Sequence, residues 1–159
     1  MKYANIKFND VSNGMGVCVS LFTQGCPHHC PGCFNQCTWD FAGGIPFTEE
    51  TMQSILDGLT DLGVHRDFCL LGGEPLCPQN YEISEYVIST IKEKLPDTKI
   101  YIWTGYLYEE LLAKNNAQLN HILSMTDVLV DGPFIEKLKD ISLVMRGSSN
   151  QRIINLTNK

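Results

Sequence analysis

Three cysteines, Cys26, Cys30 and Cys33, stand in a C-x3-C-x2-C run. Three thiolates in so short a loop can wrap one compact inorganic centre, and thiolates select zinc, copper(I) or iron–sulfur clusters. A structural zinc site wants four ligands, commonly as two separated pairs, and no second pair stands here. An electron-transfer cubane also wants four cysteines. Three cysteines on four irons leave one iron open to a substrate, by the logic of an open catalytic metal site. Cys37 extends the run to C-x3-C-x2-C-x3-C, and His28 and His29 lie inside it. From spacing alone, an open three-cysteine cluster, a four-ligand metal site and unligated thiols all stay possible. Cys18 and Cys69 lie in strand-like segments and read as small core residues. Cys77 reads as structural.

The elements that must position this loop follow from periodicity. Val17 to Thr23 has strand composition and runs into Gln24-Gly25-Cys26. From Cys26 to Pro46 the chain is rich in Cys, Gly and Pro and reads as one long loop, a length usually tied to function. Thr48 to Leu62 reads as a helix, with Thr48 as N-cap and Met52, Ile55, Leu56, Leu59 and Leu62 at helical spacing. Phe68 to Leu71 reads as a buried strand ending at Gly72-Gly73. A second helix is expected over Tyr81 to Lys94. A strand over Lys99 to Trp103 ends at Thr104-Gly105, and one or two short helices fall between Tyr106 and Ser124. A strand over Asp127 to Val130 ends at Asp131-Gly132, and Arg152 to Leu156 reads as a last strand.

Strands alternating with amphipathic helices imply parallel βαβ units. Parallel strands share the edge where ligands bind. Gln24-Gly25, Gly72-Gly73, Thr104-Gly105 and Asp131-Gly132 therefore converge on one site. The expected fold is α/β, a shortened, open (β/α) partial barrel with a mainly parallel sheet. A full eightfold barrel needs about 250 residues, and this chain has 159, so it cannot be one; on the usual size prior a single domain over residues 1–159 is expected.

Composition narrows the function classes. Apolar residues make up 43%, which suits a globular core and argues against disorder. Twelve basic against eighteen acidic residues give −6, which argues against nucleic acid as partner. No apolar run approaches the roughly 18 residues of a membrane helix. Met1 to Asp10 lacks the pattern of a signal peptide. The seven cysteines are too few for a disulfide scaffold, and the expectation is a cytoplasmic protein with reduced thiols.

The C-x3-C-x2-C loop after the first barrel strand, followed by Gly72-Gly73-Glu74-Pro75 after the next, resembles the radical S-adenosylmethionine (SAM) enzymes. Further segments resemble one family within them. These are Asn13-Gly14-Met15-Gly16, Gly32-Cys33-Phe34-Asn35, Thr38-Trp39, Trp103-Thr104-Gly105-Tyr106, Asp127 to Pro133, and Arg146-Gly147-Ser148-Ser149-Asn150-Gln151. The family is the anaerobic ribonucleoside-triphosphate reductase activating proteins, and the resemblance covers nearly the whole chain. Gly32 stands where many radical SAM enzymes have an aromatic, and Glu74 where relatives often have Asp.

The resemblance implies a 4Fe-4S cluster on Cys26, Cys30 and Cys33, with SAM on the open iron. Reductive cleavage of SAM gives methionine and a 5′-deoxyadenosyl radical, which takes hydrogen from a glycine of the partner reductase. Reduced flavodoxin is an expected electron donor. Gly72, Gly73 and Glu74 are expected to meet the SAM amino group. Gly32, Cys33 and Phe34 are expected beside SAM or its adenine, and Thr104 and Asp131 are expected to reach its methionyl or ribose groups. Trp103 reads as core packing. Arg146 to Arg152 is expected near the mouth of the site or the partner interface. The nearest alternatives are a pyruvate formate-lyase-type activase, a 7-carboxy-7-deazaguanine synthase, or a non-catalytic electron-transfer or zinc module with Cys37 as fourth ligand.

Overall fold

A computed structural model describes residues 1–157; Asn158 and Lys159, the end of the expected single domain, lie outside the described residues. The centre of the sheet is the expected parallel set: β2 (Cys18–Thr23), β4 (Asp67–Gly72), β5 (Ile100–Trp103) and β6 (Val128–Asp131). These pair side by side in chain order. The expectation of a mainly parallel sheet is corrected at both edges. β1 (Lys2–Asp10) and the two-residue β3 (Ile45–Pro46) add antiparallel pairings on one side, and β7 (Arg152–Asn155) adds one on the other, for a mixed seven-stranded order β3-β1-β2-β4-β5-β6-β7. β1 escapes periodicity because two irregularities interrupt its register against β2 and its side chains are mostly exposed.

The helices connect the parallel strands. They are α1 (Glu49–Thr60), α2 (Tyr81–Lys94), α3 (Tyr108–Ala113) and α4 (Ala117–Ser124). Thr48 caps α1 reciprocally with Thr51, their hydroxyls accepting from each other's backbone N–H at 3.3 and 3.1 Å.

Right-handed crossovers between strands taken in order place every helix on one face of the sheet. The side chains agree. Val19, Leu21, Phe68, Leu70, Ile100 and Ile102 join the helical core, while the intervening Cys18, Phe22, Cys69, Leu71 and Tyr101 face the other way. That second face is covered by loop residues, with Met145 packed against it, rather than by helices. The expected core roles of Cys18 and Cys69 hold, both being fully buried.

The second face keeps its loop cover through two local devices. Asp10 accepts from the backbone N–H and hydroxyl of Ser12, at 2.9 and 2.7 Å, from the hydroxyl of Ser20 at 2.6 Å and from the Asn13 amide. Burial opposes ionisation, but these bonds hold the carboxyl down to about 2. On the far side, the chain after β6 doubles back. Lys139 bridges Ser148, the Ser149 N–H donates to the Leu138 carbonyl at 2.9 Å, and Trp103 Nε1 donates to the Met145 carbonyl at 2.7 Å.

Candidate functional site: a three-thiol cavity at the strand ends

The C-terminal ends of β2, β4, β5 and β6 surround a cavity of about 180 Å³. Cys26, Cys30 and Cys33 all line it, and Cys37, which is exposed, does not. Cys26 is held by its N–H donating to the Trp39 carbonyl at 3.2 Å, and Cys33 by its N–H donating to the Cys30 carbonyl at 3.1 Å. The Asn35 N–H donates to Cys33 Sγ at 3.4 Å, the kind of bond that tunes a cluster sulfur. Burial first, with the Glu74 carboxylate adding, pushes the Cys26 thiol up to about 11, so a cation must displace its proton. Among the described residues no three His, Cys, Asp or Glu side chains are grouped to hold a single metal ion. Three thiols facing one cavity fit a cluster whose irons each take one thiolate.

The Gly72-Gly73-Glu74-Pro75 turn lies against this loop. The Glu74 N–H donates to the Gly25 carbonyl at 2.9 Å, and the Gly73 N–H to the Thr23 carbonyl at 3.0 Å. A Cβ at Gly73 would sit 2.3 Å from the Gly25 carbonyl oxygen. The glycine is therefore required by the backbone beside Cys26. Gly72 and Gly73 both line the cavity.

Glu74 is 1% exposed and braces the whole site. One carboxylate oxygen accepts from the Leu76 N–H at 2.9 Å and the Thr104 hydroxyl at 2.8 Å. The other accepts from the Gly105 N–H and pairs with His28 Nε2, both at 2.7 Å. A carboxylate offers about four acceptor positions, and all are taken. Glu74 thus ties the end of β4 to the end of β5 and to the cysteine loop. His28, which the sequence places inside the cysteine run, is this brace's partner, and its ring packs edge-on to Tyr106 at 4.6 Å. Nothing in the sequence signals a partner 46 residues away. Cys77 is buried, its Sγ donating to the Glu74 carbonyl at 3.2 Å, in keeping with a structural role.

The remaining expected residues divide. Thr104 lines the cavity. Phe34 does too, but the residue is 62% exposed and its ring packs on Phe134 at 5.2 Å. Gly32 does not line the cavity; it has φ +73°, and its missing Cβ leaves room for the Glu136 side chain. Asp131 is fully buried and also stands off the cavity. It accepts from the Tyr108 N–H at 2.8 Å, starting α3, and pairs with Arg152. Arg152 also clasps Glu109 at 3.0 and 2.8 Å. Gly132, the next residue, does line the cavity.

Trp39, Leu71, Trp103 and Phe134 supply apolar lining. Trp103 therefore serves both core and cavity. The Arg146–Gln151 segment reaches the cavity through Gly147 and Gln151. The Gln151 amide accepts from the Gly147 N–H at 2.8 Å and donates to the Gly132 carbonyl at 3.0 Å, stitching the segment to the end of β6.

Residues 12–154 match the family described as a 4Fe-4S single cluster domain. The chain is 41% identical over 157 residues to the anaerobic ribonucleoside-triphosphate reductase-activating protein of Salmonella typhi, covering 98% of this chain and 99% of that one. To the protein of the same name in Haemophilus influenzae it is 42% identical over 154 residues, 96% and 97% of the two chains. This chain belongs to the anaerobic ribonucleoside-triphosphate reductase-activating protein family. A third member, from Pasteurella multocida, is 39% identical over 158 residues, 99% of each chain. The matched residues 12–154 include Cys26, Cys30 and Cys33. Among the described residues no helix is long and apolar enough to cross a membrane.

Proposed function

We propose that this protein activates an anaerobic ribonucleoside-triphosphate reductase, as its relatives are named for doing. The observation that carries the proposal is the meeting of three thiols and the Gly-Gly-Glu-Pro turn in one cavity at the parallel strand ends. Cys26, Cys30 and Cys33 would hold a 4Fe-4S cluster, which would leave one iron open to SAM. A cluster held there would supply, once reduced, the electron for cleavage of SAM to methionine and the 5′-deoxyadenosyl radical that takes hydrogen from a reductase glycine.

The chain's own residues bind and exclude water. The Gly72-Gly73 turn lets backbone come close to the ligand. With Glu74 saturated, acceptance from the SAM ammonium falls to main-chain carbonyls at this turn, and Glu74 keeps the turn, Thr104 and the cysteine loop in register. Phe34, Trp103 and Phe134 give the cavity apolar walls, which protects a reactive intermediate. Gly32 holds the loop against Glu136. Asp131 acts through Arg152 and α3 to place Gly132. The chain-order parallel strands, with helices on one face, support an open partial barrel of the radical SAM type over residues 1–159. The electron donor is a reduced flavodoxin, and the protein works in the cytoplasm.

The test is electron paramagnetic resonance of reconstituted protein mixed anaerobically with SAM, reduced flavodoxin and the cognate reductase. A glycyl doublet on the reductase, with 5′-deoxyadenosine formed in parallel, is the expected result. SAM cleavage without that doublet would overturn the partner, and no SAM cleavage by a loaded, reduced cluster would overturn the chemistry.

A further inference from the structure

A second groove, of about 550 Å³, opens beside the cluster cavity on the helix-free face. The two share Phe34, Asn35, Leu71, Trp103 and Gly147, so one runs into the other. None of the three cluster cysteines lines the groove. Its apolar lining includes Phe22 and Met145, and Ile141 stands at its rim, 92% exposed. A volume of this size takes a ligand or a short run of chain.

The charged groups lining it are Lys7, Asp140 and Arg146. Asp140 is engaged locally through one carboxylate oxygen, which accepts from the N–H and hydroxyl of Ser142 at 2.9 and 2.5 Å. The two cations lack a charged partner. Among the described residues neither Lys7 nor Arg146 forms an ion pair, although the chain carries a net −6. The Lys7 ammonium lies 5.3 Å from the centroid of the Phe22 ring. Arg146 Nη1 reaches the Gln151 carbonyl at 3.3 Å, but its Nε is buried with no partner. Buried polar groups are normally bonded, so an unpaired guanidinium N–H calls for an acceptor from outside the chain.

We infer that this groove seats the glycine-bearing segment of the reductase, with Arg146 and Lys7 selecting a carboxylate carried on that segment. The inference rests on the reductase being the partner. Continuity with the cavity lets one extended strand place its glycine at the cluster end while its flanking residues lie along the groove. The apolar lining covers that strand's side chains, and the cations fix its register.

The experiment measures affinity between the intact, cluster-loaded protein and the intact reductase under anaerobic conditions, at several salt concentrations. Lys7→Gln and Arg146→Gln should each weaken binding about tenfold. Both should also flatten its salt dependence. Arg146→Lys, which keeps the charge, should restore most of the affinity. Lys7 is an exposed strand residue, so its variant carries the test even where Arg146→Gln disturbs folding. Glutamine variants that bind the reductase with unchanged affinity and salt slope would overturn the inference. So would a loss that appears in SAM affinity instead. Wild-type protein that cleaves SAM yet binds no reductase would overturn the functional reading, and the groove assignment with it.

Discussion

Glu74 shows how one buried carboxylate organises a site without free capacity for the ligand. Its four donors come from two strand ends and the cysteine loop. Gly73 belongs to the same junction, and its substitution strains the protein's own backbone. A methyl group there meets the Gly25 carbonyl at 2.3 Å, next to Cys26. Gly73→Ala is therefore expected to lower iron content as well as SAM affinity, and to cost about 2 kcal/mol in stability. Iron analysis and equilibrium unfolding of the variant check both effects; full iron occupancy with only SAM affinity reduced would place the strain at the ligand instead. Ligand count is tested beside it. Cys26→Ser, Cys30→Ser and Cys33→Ser should each lose the cluster, whereas Cys37→Ser should keep its iron, because Cys37 is exposed and off the cavity.

At the scale of elements, the turn from β1 into β2 depends on Asp10. Its carboxyl sits at about 2 in the folded chain against an ordinary 3.8, so the ionised form is favoured by folding. A depressed pKa adds stability that is fully present above pH 3.8 and is lost as pH falls through 2. Asp10→Asn should cost about 2 kcal/mol at pH 7. The gap between variant and wild type should close as pH falls from 4 towards 2. Urea unfolding at pH 7 and pH 3 measures it, and a gap of constant size would show that the hydrogen bonds act without the charge. The other edge depends on Arg152, whose guanidinium is held charged by Asp131 first and Glu109 second. That clasp joins β7, β6 and the start of α3.

For the whole molecule, the governing feature is wrapping on one side. Helices cover one sheet face, and loops cover the other. The 140–147 segment is pinned to the sheet by the Trp103 indole at the Met145 carbonyl. Trp103→Phe removes that pin and leaves a smaller aromatic ring in place. Amide hydrogen exchange should quicken across residues 140–147 while β4 and β5 stay protected. Equal quickening in the strands would mean that the loops carry the sheet's stability, contrary to a core built on the helical face.

Much of this was readable along the chain. The cysteine spacing, the Gly-Gly-Glu-Pro turn, helices α1 and α2 and the four parallel strands are local patterns. Each depends on the side-chain period of its own segment, and right-handed crossovers then bring the strand ends together. The carboxylate roles were not readable. Glu74 and Asp131 both end parallel strands in the sequence, yet one braces the cavity and the other is consumed by Arg152, 21 residues later. β1 was hidden because an exposed strand with an interrupted register has little hydrophobic alternation to betray it. The groove with its unpaired cations was hidden for a related reason. Lys7 and Arg146 lie far apart in the chain, and charge carries no period. Sequence determines which residues can do the chemistry because reactivity belongs to residue type and short spacing. Which of them are free to do it is decided by hydrogen-bond partners that only the folded chain supplies.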